Sequence, residues 1–248
     1  WASDGEGGFT PEVEQGFVTI SPDFAGEGIF TFGKFNAPIG FELLDAPDMF
    51  QYSHALVFNA GLPTNLIGVM YKVPFNAQWD LAAYVCNGWD VNVDPDKDKS
   101  LGGRLGFASD NWGGGISAIH GTETYMEEIT ISTPFIRAPG DTVDIPYDTV
   151  TESTSTKLTV FDVDLYFDPT DSWTMGGELN FGDHDLGETT ASWWGFLLMS
   201  HWDFNPKVGG TVRFDYFDDQ DASRLGAGVP EVRKALAIAP TFALGDGM

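Results

Sequence analysis

The sequence predicts an all-β protein, an antiparallel transmembrane β-barrel, and three observations lead to this fold class. Short segments alternate apolar and polar residues, the connections between them alternate between short and long, and the long connections carry most of the negative charge. Strands that alternate in this way form sheets with one apolar and one polar face. We expect a single β-barrel domain over residues 1–248.

The alternation is clear in Trp79 to Gly88, where Trp79, Leu81 and Val85 fall on one face and Asp80 and Tyr84 on the other. In a soluble sheet the apolar face meets a core, whereas in a membrane barrel it meets lipid. The same pattern predicts about twelve strands, at 17–20, 28–34, 53–58, 66–73, 79–88, 101–107, 114–120, 157–167, 173–181, 191–202, 208–216 and 234–242.

The connections separate the membrane barrel from the alternative, a soluble acidic β-sandwich that binds calcium. Tight turns at 74–78, 109–113, 168–172 and 204–207 alternate with longer loops at 89–100, 121–155, 183–190 and 218–231. The long loops sum to a formal charge of −14 and the tight turns to −2. Outer-membrane barrels have short periplasmic turns and long extracellular loops. The long connection 35–52 breaks this parity, and it is interpreted as a short helix or an inward-folded segment.

Composition narrows the function classes. The net charge of −25 argues against nucleic acid as a partner. The single cysteine, Cys86, leaves no Cys-based zinc site, c-type haem motif or intramolecular disulfide. No apolar run approaches the roughly 20 residues of a membrane helix, so a chain that spans a membrane must do so as a barrel.

Charged residues on the polar faces of the strands are the candidate pore lining. Both signs occur, as expected of a water-filled lumen, and the mild excess of acids predicts a modest cation preference. The candidates are Lys72, Asp80, Arg104, Asp162, Asp164, Glu178, Arg213 and Asp215.

One acidic loop resembles the start of a calcium-binding loop, with oxygen side chains at every second position. The candidate ligands are Asp90, Asn92, Asp94, Asp96 and Asp98, but Pro95 and Leu101 stand where an EF-hand needs Gly and Glu. A solvated acidic loop is the alternative, and we expect no other cofactor. The sequence contains no GxSxG motif or phosphate-binding loop, so we expect no enzymatic activity.

Three segments then point to a family. GKFNAPIGFE (33–42), NGWDVNVD (87–94) with Lys99 and Ser100, and RFDYFDD (213–219) resemble the OmpL-like β-barrel porins of Gram-negative outer membranes. The resemblance implies a diffusion channel without catalytic chemistry. Members of that family usually continue past the point where this chain stops, which implies missing terminal strands and a full barrel of roughly 12–16 strands.

Two functions remain open. The first is an outer-membrane porin for passive diffusion of ions and small solutes, with mild cation preference. The second is a structural barrel that anchors or ensheaths surface or electron-transfer components. The expected partners are outer-membrane lipid, small solutes and cations, and both a homo-oligomer and an outer-membrane complex stay open.

Overall fold

The structure is a computed structural model that describes residues 2–3, 9–10, 13–45, 49–94, 97–132, 147–187 and 189–243. For residues 2–3, 9–10, 124–132 and 147–154 only the backbone is described. No helix within these ranges has the length and hydropathy needed to cross a bilayer.

Eleven strands form one antiparallel sheet in which each strand pairs with its neighbours in sequence. They are β3 (Gly16–Ile20), β4 (Ile29–Asn36), β5 (Asn65–Pro74), β6 (Trp79–Cys86), β7 (Ser100–Ala108), β8 (Trp112–Ser132), β9 (Tyr147–Thr170), β10 (Trp173–Asp185), β11 (Thr190–Asn205), β12 (Val208–Asp219) and β13 (Glu231–Phe242). β3 and β13 are the edges of this sheet, and the two-residue strands β1 (Ala2–Ser3) and β2 (Phe9–Thr10) pair with each other.

Eleven of the twelve predicted strands are present, and apart from β8 and β9 their ends move by a few residues. The predicted loop 121–155 is wrong in extent, because β8 and β9 continue their pairing from Trp112↔Phe167 to Ser132↔Tyr147. Residues 133–146 of that loop lie outside the described residues. The predicted loop 183–190 also shortens, since Asp185 pairs with Thr190.

The predicted strand at 53–58 is wrong. Residues 56–61 instead form the short helix α1 (Leu56–Gly61). It lies within a single connection, residues 37–64, that joins β4 to β5, and we call this connection the inward segment. Removing the false strand restores the alternation of the connections: the inward segment now falls at the same end of the sheet as 87–99 and 220–230. Of the two interpretations of 35–52, a short helix and an inward-folded segment, the second is correct, because Phe41, Glu42 and Phe50 bond to residues of β10 and β12. The helix lies later in the chain, and the segment extends to residue 64.

The two faces of the sheet have opposite character. One face, here the apolar face, leaves large aliphatic side chains exposed, including Val69, Val85, Leu105, Ile116, Leu165, Leu179, Leu198, Val212, Leu236 and Ile238. The other, here the covered face, buries polar and charged side chains, including Ser117, Asp162, Asp164, Glu178, Asn180, Thr211, Arg213 and Asp215. A soluble domain has the reverse arrangement. The apolar face is built for lipid, and the soluble β-sandwich alternative is wrong.

Aromatic side chains mark the ends of the strands. Trp79, Phe107 and Trp112 pack in a row at the short-turn end, with ring centroids 4.7 and 4.4 Å apart. Trp173 and Trp202 stack at the same end, with centroids 6.2 Å apart. Aromatic rings are enriched where a membrane barrel meets the headgroup region, because each ring combines an apolar body with a polar edge.

Candidate functional site

All eight charged residues predicted from the polar faces lie on the covered face. Side chains alternate between the two faces of a strand, so the face of one residue determines the face of every other residue on that strand. Asp80 therefore shares its face with the buried Ala82 and Tyr84. The structure brings six of the eight into three ion pairs, which are Lys72–Asp80, Arg104–Asp164 and Arg213–Asp215. Asp162 and Glu178 are the two carboxyl groups outside these pairs.

Arg104 links strands β7, β8 and β9 on the covered face. Its guanidinium bonds to both carboxylate oxygens of Asp164, with Nη2 2.8 Å from Oδ1, and Nη1 donates to Ser117 Oγ at 3.1 Å. Arg104 lies opposite Ser117 on β8, whose partner on β9 is Asp162, and the side chain reaches Asp164 by crossing Gly115, which pairs with Asp164. A Cβ atom at Gly115 would lie 2.3 Å from the guanidinium carbon, so the contact requires glycine there. The planar fork of arginine matches a carboxylate in this two-bond geometry.

Arg213 has a different role, because it connects strand β12 to the inward segment. Its Nε donates to Asp215 Oδ1 at 2.8 Å and its Nη1 to Glu42 Oε1 at 2.7 Å. The same guanidinium donates to the carbonyl oxygens of Ser53 and His54. Arg213 is 3% exposed and Asp215 1% exposed. A buried charge pair in which all three guanidinium nitrogens donate hydrogen bonds fixes geometry strongly, because removing one partner leaves the other charge without compensation.

Successive inward-facing residues of β12 hold successive parts of the inward segment. Thr211 Oγ1 donates to the Phe50 carbonyl at 2.9 Å, Arg213 follows as above, and Asp215 Oδ2 accepts the Leu56 backbone N–H at 3.2 Å. The segment therefore runs alongside β12, from near the short turn 206–207 toward the opposite end. This alignment shows that the segment penetrates most of the depth of the sheet.

The first half of the segment is held by β10. The Phe41 backbone N–H donates to Glu178 Oε2 at 2.7 Å. The Phe41 ring lies over Gly176, where a Cβ atom would come within 2.0 Å of it, so a side chain at this position would displace the ring. Glu42 accepts the Ala55 N–H at 2.6 Å as well as the Arg213 bond. Burial raises the pKa of the Glu42 carboxyl above its ordinary value of 4.5, although Ala55 and Arg213 oppose the shift.

The second half of the segment forms an apolar core against the sheet. Val57 and Leu62 pack with Leu197, Trp193 and Phe217, all of which are buried. Gly61 allows this approach, since a Cβ there would lie 2.6 Å from Asn180 Oδ1. The covered face is thus polar in one region and apolar under α1.

Arg224 closes over the end of the segment. Its Nε donates to the Ala60 carbonyl at 2.7 Å, and its guanidinium carbon lies 4.3 Å from the Trp89 ring centroid and 5.0 Å from that of Trp193. Asp219 fixes the loop that carries Arg224 by accepting the backbone N–H groups of Ser223, Arg224 and Leu225. Two cation–π contacts and a hydrogen bond therefore fix the segment at the long-loop end.

Three of the five candidate calcium ligands accept side-chain hydrogen bonds from protein donors. Asp90 Oδ1 accepts the N–H groups of Thr64 and Asn65 at 2.8 and 2.7 Å, and Asn92 Oδ1 accepts Lys34 Nζ at 2.8 Å. Lys99 bonds to Asp94 and to the carbonyl of Asp98.

Asp96 lies outside the described residues. Within the described ranges, no group of three or more His, Cys, Asp or Glu side chains is arranged to hold a metal ion. The calcium site stays a prediction, and Asp90 has a visible structural task in fixing the return of the inward segment.

Sequence reasoning missed three of the residues that anchor the inward segment. Glu42, Thr211 and Arg224 were not among the candidates, and the first two bind partners more than 150 residues away in sequence. Glu42 and Arg213 do lie within the two segments GKFNAPIGFE and RFDYFDD that carried the family resemblance. That coincidence was the available signal for a contact between them.

The fold and the site define a class: a bacterial outer-membrane β-barrel with polar residues inside and an apolar surface toward lipid. The sequence model of the family described as "Putative beta-barrel porin-2, OmpL-like" matches residues 3–245. The chain belongs to this family, as its motifs predicted. No curated protein is similar enough to the chain to match.

Solved structures agree with the fold. The chain is similar to outer-membrane expressed OmpT of Vibrio cholerae, with a TM-score of 0.64, 11% identity and coverage of 94% of this chain and 66% of that one. OmpT of the same organism folded in vitro gives a TM-score of 0.57, 11% identity and coverage of 88% and 62%. The chain therefore spans slightly less than two thirds of each solved chain.

Proposed function

We propose that the chain forms the wall of an outer-membrane channel for passive diffusion of ions and small solutes, narrowed by the inward segment. The observation that carries this proposal is the ladder of hydrogen bonds from Thr211, Arg213 and Asp215 to the segment. A polar wall that fixes a segment along its depth can leave a defined passage beside that segment, toward β4–β8. No catalytic chemistry is part of the proposal.

The charges of the covered face support a mild cation preference. Three ion pairs neutralise six of the eight predicted lining charges. The two carboxyl groups left over, Asp162 and Glu178, hydrogen-bond to each other, so together they add less than two negative charges. The acidic long connections act in the same direction if, as we propose, they form the extracellular mouth. Carboxylates in a confined, low-dielectric passage concentrate cations.

Deleting the inward segment tests the constriction. Its two ends already meet, because Ala37 N–H donates to the Thr64 carbonyl at 2.9 Å and Gly40 lies against Leu62. Residues 41–61 can therefore be replaced by a short Gly/Ser link without pulling β4 from β5. We expect a several-fold rise in single-channel conductance in planar bilayers. A variant that inserts into bilayers and conducts like the wild type would contradict the proposed constriction.

The structural barrel is the second candidate, and one observation favours it. The inward segment occupies the covered face of β9 to β12 with a buried apolar core, as a permanent plug would. A wild-type barrel that inserts but conducts no current, while the 41–61 deletion conducts well, would favour the anchoring role. Conductance by both proteins favours the channel.

A further inference from the structure

We infer that Asp162 and Glu178 hold one proton between them while the inward segment is docked on the covered face, and that this proton helps to keep the segment docked. The two carboxyl groups lie on neighbouring strands, where Asp162 pairs with Asn180 and Asp164 pairs with Glu178. Asp162 and Glu178 are therefore diagonal neighbours on one face, a separation that long side chains can span. Asp162 is fully buried and Glu178 is 4% exposed.

The hydrogen bonding of the pair requires a proton. The Asp162 and Glu178 side chains hydrogen-bond to each other, yet an ionised carboxylate can only accept. Asp162 Oδ1 and Glu178 Oε1 are both buried, and within the described residues neither accepts a hydrogen bond from any other protein group. One proton between the two carboxyl groups supplies the missing donor. It also avoids placing two like charges side by side in a buried site.

The second oxygen of each carboxyl group is already engaged. Asn180 Nδ2 donates to Asp162 Oδ2 at 3.3 Å, and Asn180 is itself held by Trp193 Nε1, which donates to its Oδ1 at 3.1 Å. Glu178 Oε2 accepts the Phe41 N–H of the inward segment. Asp162 is therefore fixed to the strands of the sheet, whereas Glu178 connects the carboxyl pair to the inward segment.

The inward segment covers the carboxyl pair with both of its halves. A Cβ atom on Gly40 would lie 3.4 Å from Glu178 Oε2, and one on Gly61 would lie 2.6 Å from Asn180 Oδ1. When the segment undocks, water replaces it and both carboxyl groups can ionise. Docking therefore takes up a proton. Its contribution to docking is complete where the undocked pair is also protonated, and it is lost as the pH rises through the range in which only the docked pair keeps a proton.

The charges around the pair do not supply a substitute for the proton. Arg104 favours the ionised form of Asp162 and Asp164 disfavours it, and these two neighbours bond to each other. On β11, the residue opposite Glu178 is the apolar Leu197. Other titratable groups on the facing elements bond to one another, to a hydroxyl group or to the backbone, and they include Glu42, His54, His201, Arg213 and Asp215.

Infrared difference spectroscopy of the folded full chain in detergent detects the proton directly. At neutral pH the wild type should show the carbonyl band of a protonated carboxylic acid. Glu178→Gln should lose this band, because the amide donates to Asp162 in place of the proton and still accepts from the Phe41 N–H. Asp80→Asn is the matched control, since Asp80 is paired with Lys72, and it should keep the band. A wild type without the band, or a band unchanged in Glu178→Gln, would overturn the inference.

Limited proteolysis shows whether the proton controls docking. The measurement is made in a Glu42→Gln background, which removes the carboxyl group of the neighbouring anchor, and rates are corrected with a free peptide of residues 41–61. As the pH rises above the ordinary carboxyl range, cleavage within 41–61 should accelerate by up to about tenfold per pH unit, the limit for one proton, and then level off. Adding Asp80→Asn should leave this acceleration in place.

Two amide variants assign the acceleration to the pair. Glu178→Gln and Asp162→Asn each replace the proton with an N–H donor, so each should abolish the acceleration and keep the segment resistant to protease. Loss of resistance alone would indicate misfolding, whereas retained resistance without pH dependence cannot come from a misfolded chain. An acceleration that survives in both variants would overturn the inference. The inference goes beyond the proposed channel, because neither readout involves flux: a barrel that carries no current would reject the channel and leave the proton in place.

Discussion

At the residue scale, Arg213 makes more hydrogen bonds to the inward segment than any other anchoring residue described above. It bonds to Glu42, Ser53 and His54 of the segment and to Asp215 of its own strand. Arg213→Gln should release the segment, because the cost of breaking a buried ion pair is roughly 3–5 kcal/mol. We expect larger and noisier single-channel currents and faster proteolysis within 41–61.

Arg104 supplies the matched control for that variant. It is also paired with a carboxylate on the covered face, but its partners Asp164 and Ser117 belong to the wall. Arg104→Gln should therefore leave the segment resistant to protease. Equal release by both variants would mean that loss of any lumen charge loosens the barrel, and that Arg213 has no special anchoring task.

Glu42 gives the segment a pH dependence. Because burial raises its pKa when the segment is docked, the docked state binds a proton more tightly than an exposed Glu42 would. The stabilisation is complete below the ordinary pKa of 4.5 and is lost as pH rises through the docked value. Lowering the pH from above the docked pKa of Glu42 toward 4.5 should therefore favour the docked segment and lower conductance. Glu42→Gln, which keeps an acceptor for Ala55 and Arg213, should conduct alike across the window.

At the element scale, the strands were predictable and the inward segment was not. The period of two fixes which side chains share a face, so Trp79 to Gly88 alone placed Asp80 and Trp79 on opposite faces. The pattern of Ser53 to Phe58 fits a strand as well as a buried helix, since short apolar runs do not distinguish them. What decides is packing against Leu197 and Phe217, which are more than 100 residues away in sequence.

Adjacent residues on β13 test the assignment of the faces. Leu236 is 66% exposed on the apolar face, whereas Ala235 lies on the covered face opposite Asp215. Leu236→Arg should cost roughly 2–4 kcal/mol near the bilayer midplane, which would lower the yield of heat-modifiable folded barrel in a gel-shift assay. Ala235→Arg adds the same charge beside a carboxylate and should fold normally. If Ala235→Arg lowered the yield of folded barrel and Leu236→Arg did not, the assignment of the two faces would be reversed.

At the scale of the whole molecule, the distribution of charge sets the expected ion preference. Of the net charge of −25, −14 falls in residues 89–100, 121–155, 183–190 and 218–231, which comprise long connections and the strand ends beside them, while the covered face balances most of its predicted lining charges internally. The electric field at the mouth therefore comes from many dispersed charges, whereas the field in the passage comes from a few charges close by. Salt screens the diffuse field over about 8–10 Å near physiological ionic strength.

Reversal potentials under a KCl gradient measure both contributions. We expect a modest cation preference that weakens as total salt rises, because the mouth is screened more than the passage. Asp162→Asn combined with Glu178→Gln should reduce the preference that persists at high salt, while the amide introduced by Glu178→Gln keeps an acceptor for the Phe41 N–H. Arg104→Gln should strengthen it by freeing Asp164. An anion-selective potential, or a preference that does not respond to salt, would place the selectivity in parts of the barrel beyond these residues.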